Sequence, residues 1–394
     1  MRGLAAIAVV SFATVATATA QTTKTETTIR CTPGQPVAAA LPVWSPASDR
    51  VAFTVPRDET GEIVTAVPRS SHRQSLATSW DSAPEEISWA PRGDAVAFLK
   101  RTGAIAITRP RTSSFGIEIV HAEYNTLTAL GDWSPDAQLL LFTRDARIYT
   151  VDVITWVIRY LADGLRPTWS PDGSEIAFVA GRPPGGGIGP QRPLDLDVIH
   201  PDGTGRRTLV RDAPSSDTIA WSPDSSRLAF VGKVIGIVAR TGGPAVYTAP
   251  AEGPLAWRAN GIFYNLRGPA PRGVSAMRYN PDTGATSRLT KLPHGFEGVF
   301  ASASPDGRRI AYTLYRDYLR AGVRVVDATG KNDSPLLACT GSKGPDRVIG
   351  SRLNDVIRVN GAGRDRVNCG AGQDLVYADS RDVVARDCER VIRS

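Results

Sequence analysis

The sequence predicts an all-β chain: a β-propeller of seven four-stranded antiparallel blades followed by a small β-roll-like module. Three observations predict it. A Trp-Ser-Pro-type unit recurs at Trp44, Trp89, Trp133, Trp169, Trp221 and Trp257, with a copy lacking Trp at Ala303-Ser304-Pro305, at spacings of 45, 44, 36, 52, 36 and 46 residues. Nearly every copy leads through a turn signal to a small or aliphatic residue followed by an aromatic. From Gly341 onward this pattern gives way to Asp-x-Val/Ile about every nine residues. A chain of 394 residues exceeds one ordinary domain about twofold, so several domains or a repeat architecture are expected. With 42% hydrophobic and 22% charged residues it can bury a core, which excludes a wholly disordered protein.

Residues 1–20 read as a signal peptide. Arg2 supplies the charged start, Leu4 to Val15 the apolar stretch, and Ala18-Thr19-Ala20 the small-x-small cleavage pattern. The apolar part is shorter than the ~20 residues that cross a bilayer, so the mature chain is expected to be exported without a membrane span. Formal net charge is +7, but 40 of the 46 basic residues are Arg and acids are interspersed among them, so no phosphate-tracking stripe and no nucleic-acid partner is expected.

Each repeat element has a mechanical reason. Proline ends the incoming strand because it lacks a ladder donor, Asp-Gly or Asn-Gly supplies the tight turn, and an apolar run begins the next strand. The sixth copy is two residues shorter and keeps Asn260-Gly261, expected as its two-residue turn. Two further strand-like runs follow each hairpin, for example Arg147–Val153 and Val157–Leu161. Four strands per ~43 residues, seven times over, is propeller arithmetic. The tryptophans, prolines and glycines are read first as structural.

The unit Trp-Ser-Pro-Asp-Gly-x-x-Ile-Ala-Phe, complete at Trp169–Phe178, resembles the repeat of TolB-like propellers, also found as the non-catalytic half of prolyl-oligopeptidase-type peptidases. The resemblance covers about residues 30 to 340, which assigns 21–340 to the propeller, and it implies six blades as the alternative to seven. In propellers the Ser-Pro-Asp-Gly hairpins share one face, and ligands usually bind on the other. There the polar residues ahead of the inner strands, Glu85, Glu86, Asp132, Arg166, Asp217, Glu252 and Glu297, form a candidate ligand face, joined by Arg182 of the Gly181–Pro193 insertion. That insertion is expected to be a lid over the mouth.

Residues 341–394 resemble the haemolysin-type nonapeptide Gly-Gly-x-Gly-x-Asp-x-U-x, whose half-coils stack into a parallel β-roll holding calcium; the better matches are Gly361-Ala362-Gly363-Arg364-Asp365 and Gly370-Ala371-Gly372-Gln373-Asp374. The resemblance implies weak calcium binding by Asp346, Asp355, Asp365 and Asp374, with Asp346 paired to Asp365 and Asp355 to Asp374. Four cysteines allow three pairings. Cys31 before the first blade and Cys339 after the last have a spatial reason to meet, as do Cys369 and Cys388 within the tail, and both fit an oxidising compartment.

No Gly-x-Ser-x-Gly elbow and no His-Glu-x-x-His helix occurs, and the four histidines lie in different units. The expectation is therefore a secreted or periplasmic monomer, a binding or scaffold protein offering a rigid disk to a protein or cell-surface polymer. The alternative is a lactonase-like hydrolase with a metal in the central channel.

Overall fold

The structure, a computed structural model, describes residues 26–31, 42–57, 60–68, 73–79, 84, 86–109, 116–122, 126–180, 194–213, 218–268, 274–291, 296–316, 319–336, 338–352, 355–361 and 363–393. The signal segment 1–20 and the whole Gly181–Pro193 insertion, with the lid expected there, lie outside the described residues. Among those described, strands occur and helices do not.

Seven four-stranded antiparallel meanders run from Val43 to Pro335. Their first strands are Val43–Trp44, Glu86–Trp89, Thr128–Trp133, Ile158–Trp169, Thr218–Trp221, Glu252–Arg258 and Phe296–Ala303. Each touches the next and the last touches the first, so these strands form a closed ring. Units three and four share one uninterrupted strand, Ile158–Trp169, which is outermost in the former and innermost in the latter.

The repeat motif builds one turn many times over. In unit four the Ser170 hydroxyl donates to Asp172 Oδ1 (2.6 Å) and accepts from the Glu175 amide (3.0 Å). Asp172 Oδ1 in turn accepts the Ser174 amide (3.1 Å), and Gly173 takes the left-handed conformation at φ 73°. The same Ser-to-Asp bond recurs at 2.5 Å in units three, five and seven. Unit six departs from expectation: Arg258 pairs with Gly261, so the turn residues are Ala259 and Asn260 and the glycine opens the next strand. Glycine is needed there because a Cβ would lie 2.6 Å from the Tyr279 carbonyl. The Asn260 side chain instead donates to the Gly307 carbonyl (2.5 Å), tying unit six to unit seven.

The tryptophans join neighbouring units. Trp89 Nε1 donates to the Val43 carbonyl (3.2 Å), Trp133 to Ser88 (3.2 Å) and Trp221 to Thr168 (3.3 Å). In each case the acceptor is the residue just before the preceding unit's own tryptophan. The paired aromatics Phe53, Phe98, Phe142, Phe178, Phe230, Phe263 and Tyr312 are all buried, and burying each ring contributes about 1.5–3 kcal/mol.

Units one and seven meet at the seam without exchanging a strand. One core cluster there combines Trp44, Val51, Phe53 and Val64 with Ala311, Val323, Val325 and Leu336. The Arg309 guanidinium covers the Trp44 ring at 4.6 Å, and Ser302 Oγ donates to the Pro42 carbonyl (2.7 Å). Within unit seven, buried Arg324 donates through Nε to Asp333 Oδ1 (3.0 Å) and the Tyr312 hydroxyl (3.1 Å), and that hydroxyl donates to Asp333 (2.8 Å).

The C-terminal module is a roll of two parallel sheets. One contains Thr27–Arg30, Asp346–Ile349, Arg366–Asn368 and Val383–Val384; the other Cys339–Thr340, Val356–Arg358, Leu375–Ala378 and Arg390–Arg393. The motif's apolar residues point inward, Val348, Ile357, Val367 and Val376 forming its core. Residues from 21 onward are expected in the propeller, but Thr27–Arg30 pairs in parallel with Asp346–Ile349 and belongs to the roll. The reason is that Ile29 packs against the roll core. The disulfides are Cys31–Cys339 and Cys369–Cys388, with Cα separations of 5.6 and 5.2 Å. Cys31–Cys339 lies in the roll core rather than on the seam.

Candidate functional site

On the face opposite the Ser-Pro-Asp turns, a cavity of about 570 Å³ opens among the inner strands of units two to six. Glu86, Asp132 and Arg166 line it, so three of the eight residues expected on the ligand face come together. Each is placed by its repeat. Glu86 begins the inner strand of unit two, and its Oε2 accepts the Leu130 amide (2.6 Å) of unit three. Asp132 stands immediately before Trp133 and accepts a hydrogen bond from Thr168 Oγ1 (2.7 Å), the residue just before Trp169. Arg166 sits at φ 55° where the pairing of Ile158–Trp169 with its neighbour slips between Leu165 and Thr168, and this irregularity turns the residue out of the ladder. Arg166 is exposed, and among the described residues no hydrogen bond or ion pair engages it.

Asp132 is reachable by water yet walled by protein on all sides. That enclosure raises its pKa above the ordinary carboxylate value, and the Thr168 bond and the attraction of Arg258 only partly offset it. Arg258 experiences the converse: enclosure lowers its pKa, and the attraction of Asp132 opposes the fall. Its Nη1 donates to the Trp257 carbonyl (2.9 Å), while Nε is buried without a partner. Asp132 and Arg258 thus attract each other across the ring, each opposing the shift of the other.

The remaining expected residues are not assembled with these. Glu252 forms an ion pair with Arg267 (3.3 Å) in which both side chains are well exposed. Glu297 lies in the strand Phe296–Ala303, opposite Tyr315. Glu85, Arg182 and Asp217 lie outside the described residues. Sequence reasoning missed Thr168, Arg258, Asp145 and the apolar rim residues Leu127 and Leu165. Thr168 was within reach, since it occupies the repeat position of Asp132 one unit on. Arg258 carries no such signal, because it enters through a shortened hairpin.

Within the roll, Asp346 and Asp365 meet, as do Asp355 and Asp374, but as links in two ladders. The Asp346 amide donates to Asp365 Oδ1 (2.8 Å) and the Asp365 amide to Asp382 Oδ1 (3.0 Å). In parallel, the Asp355 amide donates to Asp374 Oδ1 (2.7 Å) and the Asp374 amide to Glu389 Oε2 (2.8 Å). Asp346 also accepts from Ser342 Oγ (2.9 Å), and Asp355 Oδ2 from the Ser351 amide (2.6 Å). Where the nonapeptide resemblance implies ion ligands, Asp365 and Asp374 each accept a backbone amide of the coil before, and Asp346 and Asp355 accept from Ser342 and Ser351 of their own turns. Among the described residues no group of three or more His, Cys, Asp or Glu is placed to hold a metal ion. The same holds for the described part of the central channel.

No family model matches the chain, and no curated protein does. Among solved structures, TolB from Acinetobacter baumannii is 17% identical with a TM-score of 0.38, and the match spans 53% of this chain and 56% of that one. A putative TolB from Agrobacterium tumefaciens is 18% identical with a TM-score of 0.42, over 56% of this chain and 86% of that one. The β-propeller domain of the Trilobed protease from Pyrococcus furiosus, described as having an open velcro topology, is 15% identical with a TM-score of 0.53, over 75% of this chain and 96% of that domain. With the meanders and the ring of inner strands, that last likeness identifies the fold of this chain as a β-propeller.

Proposed function

We propose that this is an extracytoplasmic binding protein that receives a protein or cell-surface polymer at the mouth of its propeller. The observation that carries this reading is the 570 Å³ cavity in which Glu86, Asp132 and unengaged Arg166 converge beside the exposed apolar side chains of Leu127 and Leu165. Such a mixture of a cation that no described residue engages, carboxylates held by hydrogen bonds and an apolar rim suits recognition. The described lining of the cavity includes the Thr168 hydroxyl bonded to Asp132 but no His, Cys or Lys. Two disulfides are compatible with an oxidising compartment outside the cytoplasm. No helix among the described residues is long and apolar enough to cross a membrane. The test compares parent and Arg166→Glu for capture of envelope proteins and for binding to arrayed cell-wall glycans. Binding that falls about tenfold or more in the variant supports the assignment; equal binding, or turnover of an ester or lactone by the parent, overturns it.

A further inference from the structure

A second cavity, of about 260 Å³, lies where the last unit of the propeller faces the roll. We propose that it is a binding site for a small organic ammonium ion, a diamine-sized alkyl cation, held by Asp374 and Glu389.

Four acids line this cleft: Asp333 from the propeller, and Asp355, Asp374 and Glu389 from the roll. Three of them are already engaged. Asp333 is bound by Arg324 (3.0 Å), Asp355 by the Ser351 amide (2.6 Å) and Glu389 by the Asp374 amide (2.8 Å). Asp374 differs. It is only 1% exposed and its Oδ1 accepts the Asp355 amide, but Oδ2 is buried with no hydrogen-bond partner among the described residues. A buried carboxylate oxygen without a donor is rare and costly, and it calls for one from outside the chain. Asp355, Glu389 and Asp387 all repel Asp374, so negative charge concentrates here in a protein whose net charge is +7. Arg390 is the cation lining the cleft; Arg324 acts from the propeller side on Asp355.

The geometry selects the kind of cation. A metal ion requires several oxygens converging on one point, and no described group of acids does so. Here Asp355, Asp374 and Glu389 each commit one oxygen to an amide and Asp333 is held by Arg324 and the Tyr312 hydroxyl, so the remaining acceptors are spread around the cleft. An ammonium group satisfies spread acceptors, because each N–H takes one of them in its own direction. Val356 and Leu375 supply apolar wall beside the acids, which suits the methylenes of an alkylamine and offers nothing to a hydrated metal ion.

The test is calorimetric titration of the full chain with putrescine and with cadaverine, using calcium chloride and magnesium chloride as comparisons. The parent is expected to bind one diamine per chain at millimolar affinity or better, and Asp374→Asn to weaken it about tenfold, as removal of a charge-assisted bond does. Asparagine keeps an acceptor for the Asp355 amide. If that variant does not fold, Glu389→Gln, which keeps the acceptor for the Asp374 amide, is expected to weaken binding in the same direction. Absence of heat up to ~10 mM diamine, an affinity too weak to matter, overturns the proposal. So does unchanged affinity in the folded variant, or stoichiometric displacement of the diamine by calcium. None of these outcomes touches the channel mouth, so the proposed function stands or falls separately.

Discussion

Trp133 shows how much a single side chain does here: its ring is buried between two units and its indole N–H reaches the Ser88 carbonyl. Trp133→Phe keeps a buried ring and removes the donor, so denaturant unfolding is expected to show a loss of about 1 kcal/mol; no measurable loss would make the bond incidental. Asp374 yields a prediction of opposite sign. Burial, then the repulsion of Asp355, Glu389 and Asp387, raises its pKa from the ordinary 3.8 to about 7. Between those values the folded chain binds more protons than the unfolded one. Its contribution to stability therefore falls as pH rises from about 4 to 7 and stays lost above. Melting of the roll should decline from pH 5 to pH 8, and Asp374→Asn should flatten that slope; a slope identical to the parent's would place the titration elsewhere. The tryptophans were legible in the sequence because they recur at one repeat position. The ionisation of Asp374 was not, because it depends on acids brought beside it from 13 to 19 positions away in the chain.

At the scale of elements, the strand of unit seven that carries Arg324 is fastened by an ion pair whose guanidinium is buried and whose carboxylate lines the cleft against the roll. Arg324→Ala leaves Asp333, still bonded to the Tyr312 hydroxyl, without its counter-charge, a loss of about 3 kcal/mol. The expected consequence is a large drop in the chemical denaturation midpoint; Arg324→Met, which fills the space, should lose less if paired with Asp333→Leu. The nonapeptide run was legible as a parallel roll because the apolar residue two places after each Asp returns every nine residues or so and points inward. The use of its aspartates was not legible, because an oxygen facing an ion and an oxygen facing an amide leave the same letters in the sequence. Since those oxygens accept amides, millimolar calcium is expected to leave the melting of the full chain unchanged, whereas a rise of several degrees would restore the ion to the roll. Likewise Asn260-Gly261 was legible as a turn, but its register was not. The one-residue offset follows from how closely Gly261 approaches the Tyr279 carbonyl, a contact between strands with no local signature.

For the whole molecule, the ring closes at the seam by side-chain packing and hydrogen bonds without a shared strand, and both ends of the propeller enter the same small roll. Cys31 before the first unit and Cys339 after the last were legible as a pair; the roll as the place where the bond forms could not be read, since Thr27–Arg30 has too few residues to declare a parallel partner. Cys31→Ser with Cys339→Ser releases a closure spanning 308 residues. The entropy cost of that closure is ~5 kcal/mol as an upper figure. The double variant should melt at lower temperature than the parent, with hydrogen exchange rising first in Thr27–Arg30 and units one and seven; exchange rising uniformly across all seven units would refute a local clasp.

That clasp also decides how the molecule bears load. Measured along covalent bonds, the shortest route between Thr27 and the C-terminal coils crosses one disulfide, with Cα atoms 5.6 Å apart, and bypasses every unit of the propeller. Tension applied between the chain ends is carried by the parallel strands of the roll and by sulfur, and the disk hangs from that line as a side loop under no strain. A protease that cut once inside the disk would leave two pieces still tethered, their cut ends free but their outer ends bound together. Tension on the roll is thus borne without distorting the cavity at the mouth of the propeller.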